Sequence, residues 1–354
     1  MSRGETPAGA GYRWPAEWEP HDATWLTWPH NRDTWPECLP AVEAAFVEIV
    51  RALAGREAVH INVLNEGMED RLRRLLVGTG AELSFFQIPS DDAWVRDHGP
   101  LFVTRGSDPQ PAAVDFGFDA WGGKYPPWDR DAQVARLSAA ALGLRRFEAP
   151  FVLEPGSVDG DGQGTVLTTR ACLLNENRRQ PGEPPRSEEG VEALLADWLA
   201  ARQVVWLDDG IAGDDTDGHV DDFARFVAAG RVVCASEDDP SDANHQPLRV
   251  ARDRLREARD AEGRLLEVVE IPMPPPLRLA GERLPASYAN FLLANAVALV
   301  PTFDAPSDAR ALAILAECLP GREVVGIPSR ELVQGLGAVH CLTQQVPRAG
   351  AANP

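Results

Sequence analysis

Runs of Val, Ile, Leu and Phe alternate along the chain with segments whose apolar residues recur every three or four positions. The runs predict strands at 58–64, 83–88, 100–104, 112–116, 165–169, 203–207, 266–271, 296–302 and 323–327, each bounded by Gly, Pro or Asp. The helical periodicity is clearest at 40–54, with Val42, Ala45, Ile49 and Leu53 on one face. It recurs at 188–201, with Val191, Leu194, Leu195, Trp198 and Leu199 on one face. Ser187 is the expected N-cap of that second helix, and Asp308 of the helix that ends before Pro320-Gly321. Residues 224–236 read as a hairpin turning at Ala229-Gly230. Strands and helices interspersed in this way predict an α/β protein.

The segments 181–186, 238–247 and 272–276 are Pro- or Asp-rich and read as surface loops, none long enough to separate domains. A loose recurrence of two strands, a helix and a strand is the only repeat in view. One domain over 1–354 is expected, with frayed tails at 1–12 and 347–354.

Composition narrows the function. The net charge is −20, which repels phosphate backbones and excludes nucleic-acid binding as the main task. Hydrophobic residues make up 44% of the chain and tryptophans number ten, too many for a disordered polymer. The longest apolar run, 291–301, is far shorter than the roughly 20 residues that span a bilayer. No apolar signal segment is visible in residues 1–20. Cys38, Cys172, Cys234, Cys318 and Cys341 are scattered and odd in number, which argues against a disulfide framework or a zinc knuckle. The expectation is a cytoplasmic globular protein.

Four segments place polar, Gly-flanked residues at the ends of hydrophobic strands: 91–100, 118–125, 213–223 and 335–345. The third holds six titratable groups within 214–222. If it is extended, Asp217, His219 and Asp221 share one face, and a histidine between carboxylates suits a general acid and base. The alternative is a solvated acidic turn. In the fourth, Cys341 follows a Gly-rich approach that leaves backbone room for a ligand, with His340 facing away if the run is extended. The alternative is an inert buried cysteine. In the first, Asp97 faces a pocket while Arg96 points outward, or the two belong to a surface ion pair. Trp121-Gly122-Gly123 is either an aromatic ligand wall or a core tryptophan before a turn. The run 159–164 begins like a calcium loop but has Arg170 at the twelfth position, and it reads as a hairpin turn.

Taken in order, these segments resemble the agmatine deiminase family, which includes the Porphyromonas-type peptidylarginine deiminase-like enzymes. The resemblance begins at Trp14-Pro15-Ala16-Glu17-Trp18-Glu19-Pro20-His21 and Trp25-Leu26-Thr27-Trp28-Pro29. It continues through Thr168-Thr169-Arg170-Ala171-Cys172-Leu173-Leu174-Asn175 and Pro320-Gly321-Arg322-Glu323-Val324 to Thr343-Gln344-Gln345, nearly the whole chain.

It implies the guanidino-modifying fold, a five-bladed α/β propeller of ββαβ-type units with pseudo-fivefold symmetry. It further implies Cys341 as nucleophile, His219 as general acid and base, and Asp97 and Asp221 as the carboxylates that hold a guanidinium. Agmatine would be converted to N-carbamoylputrescine and ammonia through an S-alkylthiouronium on Cys341, with no metal or organic cofactor. The partner would be a small cationic guanidine, and the assembly a homodimer or larger homo-oligomer. Trp94, Trp121, Asp215 and Glu154 are the candidates for holding the rest of the substrate.

The chain departs from the family's usual Glu-Gly-Gly-Ser at Glu154-Pro155-Gly156-Ser157, and from its Gly-Gly-Gly-Asn at Gly335-Leu336-Gly337-Ala338. Both changes fall where backbone lines the site, where pocket shape and substrate choice are set.

Three rival readings stand beside this one. A peptidyl- or free-arginine deiminase would use the same scaffold. A metal-dependent ureohydrolase would use Asp217, His219 and Asp221 as a D-x-H-x-D ligand set, but it would lack the second Asp-rich ligand strand and leave Cys341 unused. An inactive polyamine- or guanidine-binding protein would not need Cys341 at all.

Overall fold

The computed structural model describes residues 5–106, 108–179 and 185–350. Five sheets repeat one design: an inner strand pairs antiparallel with a middle strand, and a helix crosses over to a parallel outer strand. In the second blade Leu101–Val103, Ala112–Gly117 and Arg146–Val152 follow this order around the helix Asp131–Ala141. The third uses Val158–Gly160, Thr165–Thr169 and Gln203–Leu207 with Glu188–Leu199. The fourth uses Ala224–Ala228, Arg231–Ser236 and Glu267–Pro272 with His245–Glu257. The fifth uses Leu292–Ala294, Val297–Thr302 and Glu323–Pro328 with Asp308–Cys318. A helix in each crossover is what a parallel neighbour demands, because a tight turn cannot reverse the chain twice.

The first blade is completed from the far end of the chain. Thr343–Pro347 pairs antiparallel with His21–Thr27, and Ala58–Val63 and Leu83–Gln87 extend the sheet in parallel. The helices of the fourth, fifth and first blades pack on the outer strand of the blade before them, so the first blade meets the fifth and the ring closes. Inner strands are buried almost throughout, whereas outer strands show residues to solvent. The molecule is the expected five-bladed α/β propeller, and its core runs between blades as well as within them. Among the described residues no helix is long and apolar enough to cross a membrane.

Local chemistry explains most element boundaries. Leu39–Leu53 starts with Pro in its first turn and buries Val42, Ala45, Phe46, Ile49, Val50 and Leu53 as one stripe. Ser187 caps the third-blade helix, its hydroxyl accepting from Gly190 N at 3.2 Å. Asp161 organises the 159–164 turn by accepting from Gln163 N and Thr165 N, as the hairpin reading requires.

Three expectations are corrected. Asp308 begins its helix instead of capping it, because its carboxylate is taken by the Tyr288 hydroxyl and by the Phe303 and Ala305 amides that fold back onto it. Pro347 is not frayed, since it pairs with His21 and is buried. Nor is the end of the 1–12 tail, where Tyr12 is buried against Phe147 and Arg13 bridges to Thr104. The proposed loop at 181–186 lies largely outside the described residues, as do 1–4 and 351–354.

Candidate functional site

The chain enters each inner strand through a short turn, and the five turns meet on one side of the ring. Val95–His98 carries Asp97 into the second blade, and Pro155–Ser157 carries Gly156 into the third. Val220–Asp222 follows His219 and brings Asp221 and Asp222 into the fourth. Asn290 precedes Leu292–Ala294, and His340 and Cys341 precede Thr343–Pro347. Residues distant in sequence are thereby gathered by the pseudo-fivefold repeat itself.

Asp97 accepts from Gly156 N through Oδ1 and from Trp121 Nε1 through Oδ2, both at 3.0 Å. His219 Nδ1 lies 3.8 Å from Asp97 Oδ1. Asp221 Oδ2 is 2.6 Å from His340 Nδ1 and 3.9 Å from Cys341 Sγ, while its buried Oδ1 has no protein partner. Asn290 wraps the turn that carries Cys341. Its Oδ1 accepts from the His340 and Cys341 amides, and its Nδ2 donates to Cys341 Sγ at 3.1 Å and to Asp222 at 3.0 Å. The two backbone donors fix which way the Asn290 amide faces.

Electrostatics follow from burial and crowded carboxylates. Burial pushes Asp97 up to about 6, with His219 opposing and Asp221 adding to the rise. Burial also pushes the Cys341 thiol well above its ordinary value, and Asp221, Asp222 and Asp97 push the same way. Burial pulls His219 down, but Asp97, Cys172 and Glu154 outweigh it and hold the ring charged well above its usual range. The site is thus rich in negative charge and poor in thiolate, and a bound cation corrects both. An alkylating agent bearing an amidinium is therefore expected to modify Cys341 at least about tenfold faster than neutral iodoacetamide, after each is normalised to a free thiol. Equal normalised rates would contradict this electrostatic picture.

Cys341 and Asp97 lie on a cavity of about 780 Å³, walled by Trp94 and Trp121. Cys341, His219, Asp97 and Asp221 come together as the sequence suggested. Asp215 reaches the cavity rim, its carboxylate held by the Tyr125 hydroxyl.

Glu154, like His219 and Asp221, lies behind the cavity lining rather than in it. It is fully buried beside His219 and Cys172, paired at 2.8 Å with the equally buried Arg178. Arg96 points inward, contrary to expectation, donating to Gln345 Oε1 and the His340 carbonyl. Asp217 does not share a face with His219. The chain is left-handed at Asp217 and Gly218 and then makes a 3₁₀ turn, which sends Asp217 to Arg178, Asn177 and Lys124. The D-x-H-x-D spacing therefore does not converge on one ligand set, which removes the basis of the ureohydrolase reading. Among the described residues, the donor groups close enough to share an ion are Glu154–Cys172–His219 and Asp221–Asp222–Cys341, both made of residues of this same site.

A family model for Porphyromonas-type peptidyl-arginine deiminase matches residues 13–347. The chain belongs to that family. An agmatine deiminase of Pseudomonas putida is 42% identical, with 97% of each chain covered. A solved agmatine deiminase of Enterococcus faecalis superimposes with a TM-score of 0.91 at 35% identity, covering 98% of both chains. The agmatine deiminase of C. jejuni with substrate bound gives 0.85 at 26% identity, covering 95% of this chain and 96% of that one.

The deiminase fold explains the two departures. Pro155 opens the 3₁₀ turn, where a missing N–H costs nothing, and it leaves Gly156 at the crowded position. Leu336 sits at φ +71° on the cavity wall, a left-handed conformation that costs a non-glycine residue roughly 1 kcal/mol. Ala338 is buried in the same turn. Sequence reasoning missed Asn290 and assigned no role to His340, Glu17 or Gly156. Their common signal is a polar or glycine residue shortly before an apolar strand, and the strands behind Gly156 and Asn290 are only three residues long.

Proposed function

We propose that this chain hydrolyses the guanidino group of agmatine, releasing ammonia and N-carbamoylputrescine. The observation that carries the reading is that Cys341 and Asp97 line a cavity walled by tryptophans, with Asp221 packed against the sulfur and the charged His219 against Asp97. Paired carboxylates accept the N–H groups of a planar guanidinium and keep it protonated, so its carbon stays electrophilic. The cation in turn offsets the negative field that suppresses the Cys341 thiolate.

In the proposed sequence, the Cys341 thiolate attacks the guanidinium carbon to form a tetrahedral adduct. His219 gives its proton to one amino group, the C–N bond breaks, and ammonia leaves an S-alkylthiouronium on Cys341. The now neutral His219 takes a proton from water, and the resulting hydroxide adds to the same carbon. The C–S bond breaks to restore the thiolate, and the added hydroxyl gives its proton to the released ammonia as the ureido carbonyl forms. Asn290 donates to the sulfur throughout.

Agmatine is favoured over arginine by the charge of the wall. The cavity lining holds Asp33, Asp91, Asp92, Asp97, Asp131 and Asp215 against Arg32, Lys124 and Arg130. Burial pushes the Asp131 carboxyl up to about 7, a sign of how much negative charge and desolvation this wall already carries. A distal ammonium is stabilised there, and an α-carboxylate is opposed. A colorimetric ureido assay over agmatine, arginine, a peptidyl-arginine and guanidine, with and without EDTA, tests the reading. Agmatine is expected to give ureido product and ammonia insensitively to chelation, with kcat/KM falling as pH drops through about 6, where Asp97 protonates. Release of urea, or preference for arginine, would refute it. The reading carries with it a homodimer or larger assembly, which sedimentation of the purified chain checks.

A further inference from the structure

We propose that His340 is a positioning residue for Asp221, and that Glu17 from the segment before the first blade holds His340 in place. The proposal rests on the reading of Asp221 as a guanidinium-binding carboxylate. His340 is buried next to the nucleophile, yet its ring points away from the cavity. Its Nδ1 meets Asp221 Oδ2 at 2.6 Å and its Nε2 meets Glu17 Oε2 at 2.8 Å. Both partners are carboxylates, which only accept when ionised, so both ring nitrogens are placed to donate.

The ring has little freedom to do otherwise. The His340 amide donates to Asn290 Oδ1 at 3.0 Å, and its carbonyl accepts from Arg96 Nε at 3.3 Å. Glu17 is fixed in turn. Its Oε1 accepts from Leu293 N at 2.7 Å, and its Oε2 also pairs with Arg225 at 2.9 Å, with Arg96 at 3.6 Å. Arg225 is anchored on Asp159 and on the Phe291 carbonyl.

One consequence falls on Asp221. Its Oδ2 is committed to His340, so the buried and unpartnered Oδ1 is the oxygen left to accept from a guanidinium. A second consequence is electrostatic. Burial raises the Asp221 pKa, but the His340 bond and charge, with help from His219 and Arg225, bring it below its ordinary value. Asp222, Asp97 and Cys341 face the same cluster and oppose further negative charge. Without the His340 bond and charge, the burial that raises Asp221 goes largely unopposed, so Asp221 joins Asp97 in protonating on the acid limb and no longer binds the cation. Glu17 touches neither the large cavity nor the sulfur, so a change there reaches Asp221 through His340, Arg225 or Arg96.

The test is Glu17→Gln and His340→Gln in the full chain, with kcat and KM for agmatine measured from pH 5 to 9. Gln at 17 can still accept from Leu293 N but carries no charge, and Gln at 340 can still donate to Asp221 but carries none. Glu17→Gln is expected to raise KM about tenfold, to leave kcat within about threefold, and to move the acid limb of kcat/KM upward by about half a pH unit or more. His340→Gln should move KM and the limb further in the same direction. Folded variants with wild-type KM and an unmoved acid limb would overturn the proposal, as would a loss confined to kcat. If Glu17→Gln fails to fold, His340→Gln decides alone. Should the unsubstituted chain turn over no guanidine at all, the functional reading fails by itself. Protection of Cys341 from alkylation by guanidinium ion then supplies the same pH series, and an unchanged series would overturn the role of His340.

Discussion

Cys341→Ala is expected to lower ureido production from agmatine by about 10⁴-fold or more while leaving agmatine binding measurable by calorimetry. That factor corresponds to roughly 5 kcal/mol of transition-state stabilisation, more than removal of any single hydrogen bond supplies. The reason is that no other nucleophile is available to the guanidinium carbon. Cys172 is fully buried beside His219, on the side of the ring occupied by Glu154. Asp97, Asp221 and Asp222 remain in the variant, and so the charge that holds the cation remains. Retention of substantial turnover would end the covalent mechanism. Loss of turnover with intact binding also separates the enzyme from the inactive guanidine-binding protein, which would bind equally well with and without the sulfur and turn nothing over in either form.

Gly156→Ala is expected to cost about 10²-fold in kcat/KM with little loss of fold, although position 156 takes no part in the chemistry. A Cβ built there lies 2.6 Å from Asp97 Oδ1, 2.8 Å from His219 Nδ1 and 3.2 Å from Asp221 Oδ2. One methyl group would therefore press on three polar atoms of the site, and each must give way by several tenths of an ångström. The Gly156 amide also donates to Asp97 Oδ1, so a shift of this turn moves the carboxylate it orients. Kinetics and a thermal melt of the same preparation check the result. Wild-type kcat/KM would show that the site has slack where the structure shows none. The neighbouring Pro155 makes the point from the other side. The chain accepts a bulky residue at one position of this turn and keeps glycine at the position where three site residues converge.

Most strands that read clearly in the sequence are middle or outer strands with a sustained apolar run, such as Thr165–Thr169 or Gln203–Leu207, with the inner strands Leu101–Val103 and Ala224–Ala228 as exceptions. The strands that were not legible include Val158–Gly160 and Leu292–Ala294, which lie next to the axis. Three residues carry no periodicity, and burial on both faces removes the alternation that marks a half-exposed strand. The same geometry hid part of the site. Asn290 lies in a run that looks like ordinary approach to a core strand, and its contact with Cys341 spans 51 positions.

Composition and motif order were enough to specify the chemistry class: an acidic chain with a Gly-flanked thiol, a histidine among aspartates, and the Asp97 segment in the order of the deiminase family. Those are properties of residue type, and residue type alone decides which group can attack, donate or accept. Direction was another matter. Arg96 and Asp217 turn other ways than local alternation suggests, because their lead-in turns are helical or left-handed rather than extended. Only the closed ring decides which carboxylate faces a cation and which is spent on Arg178 or His340, since that depends on distances between turns that share no local sequence.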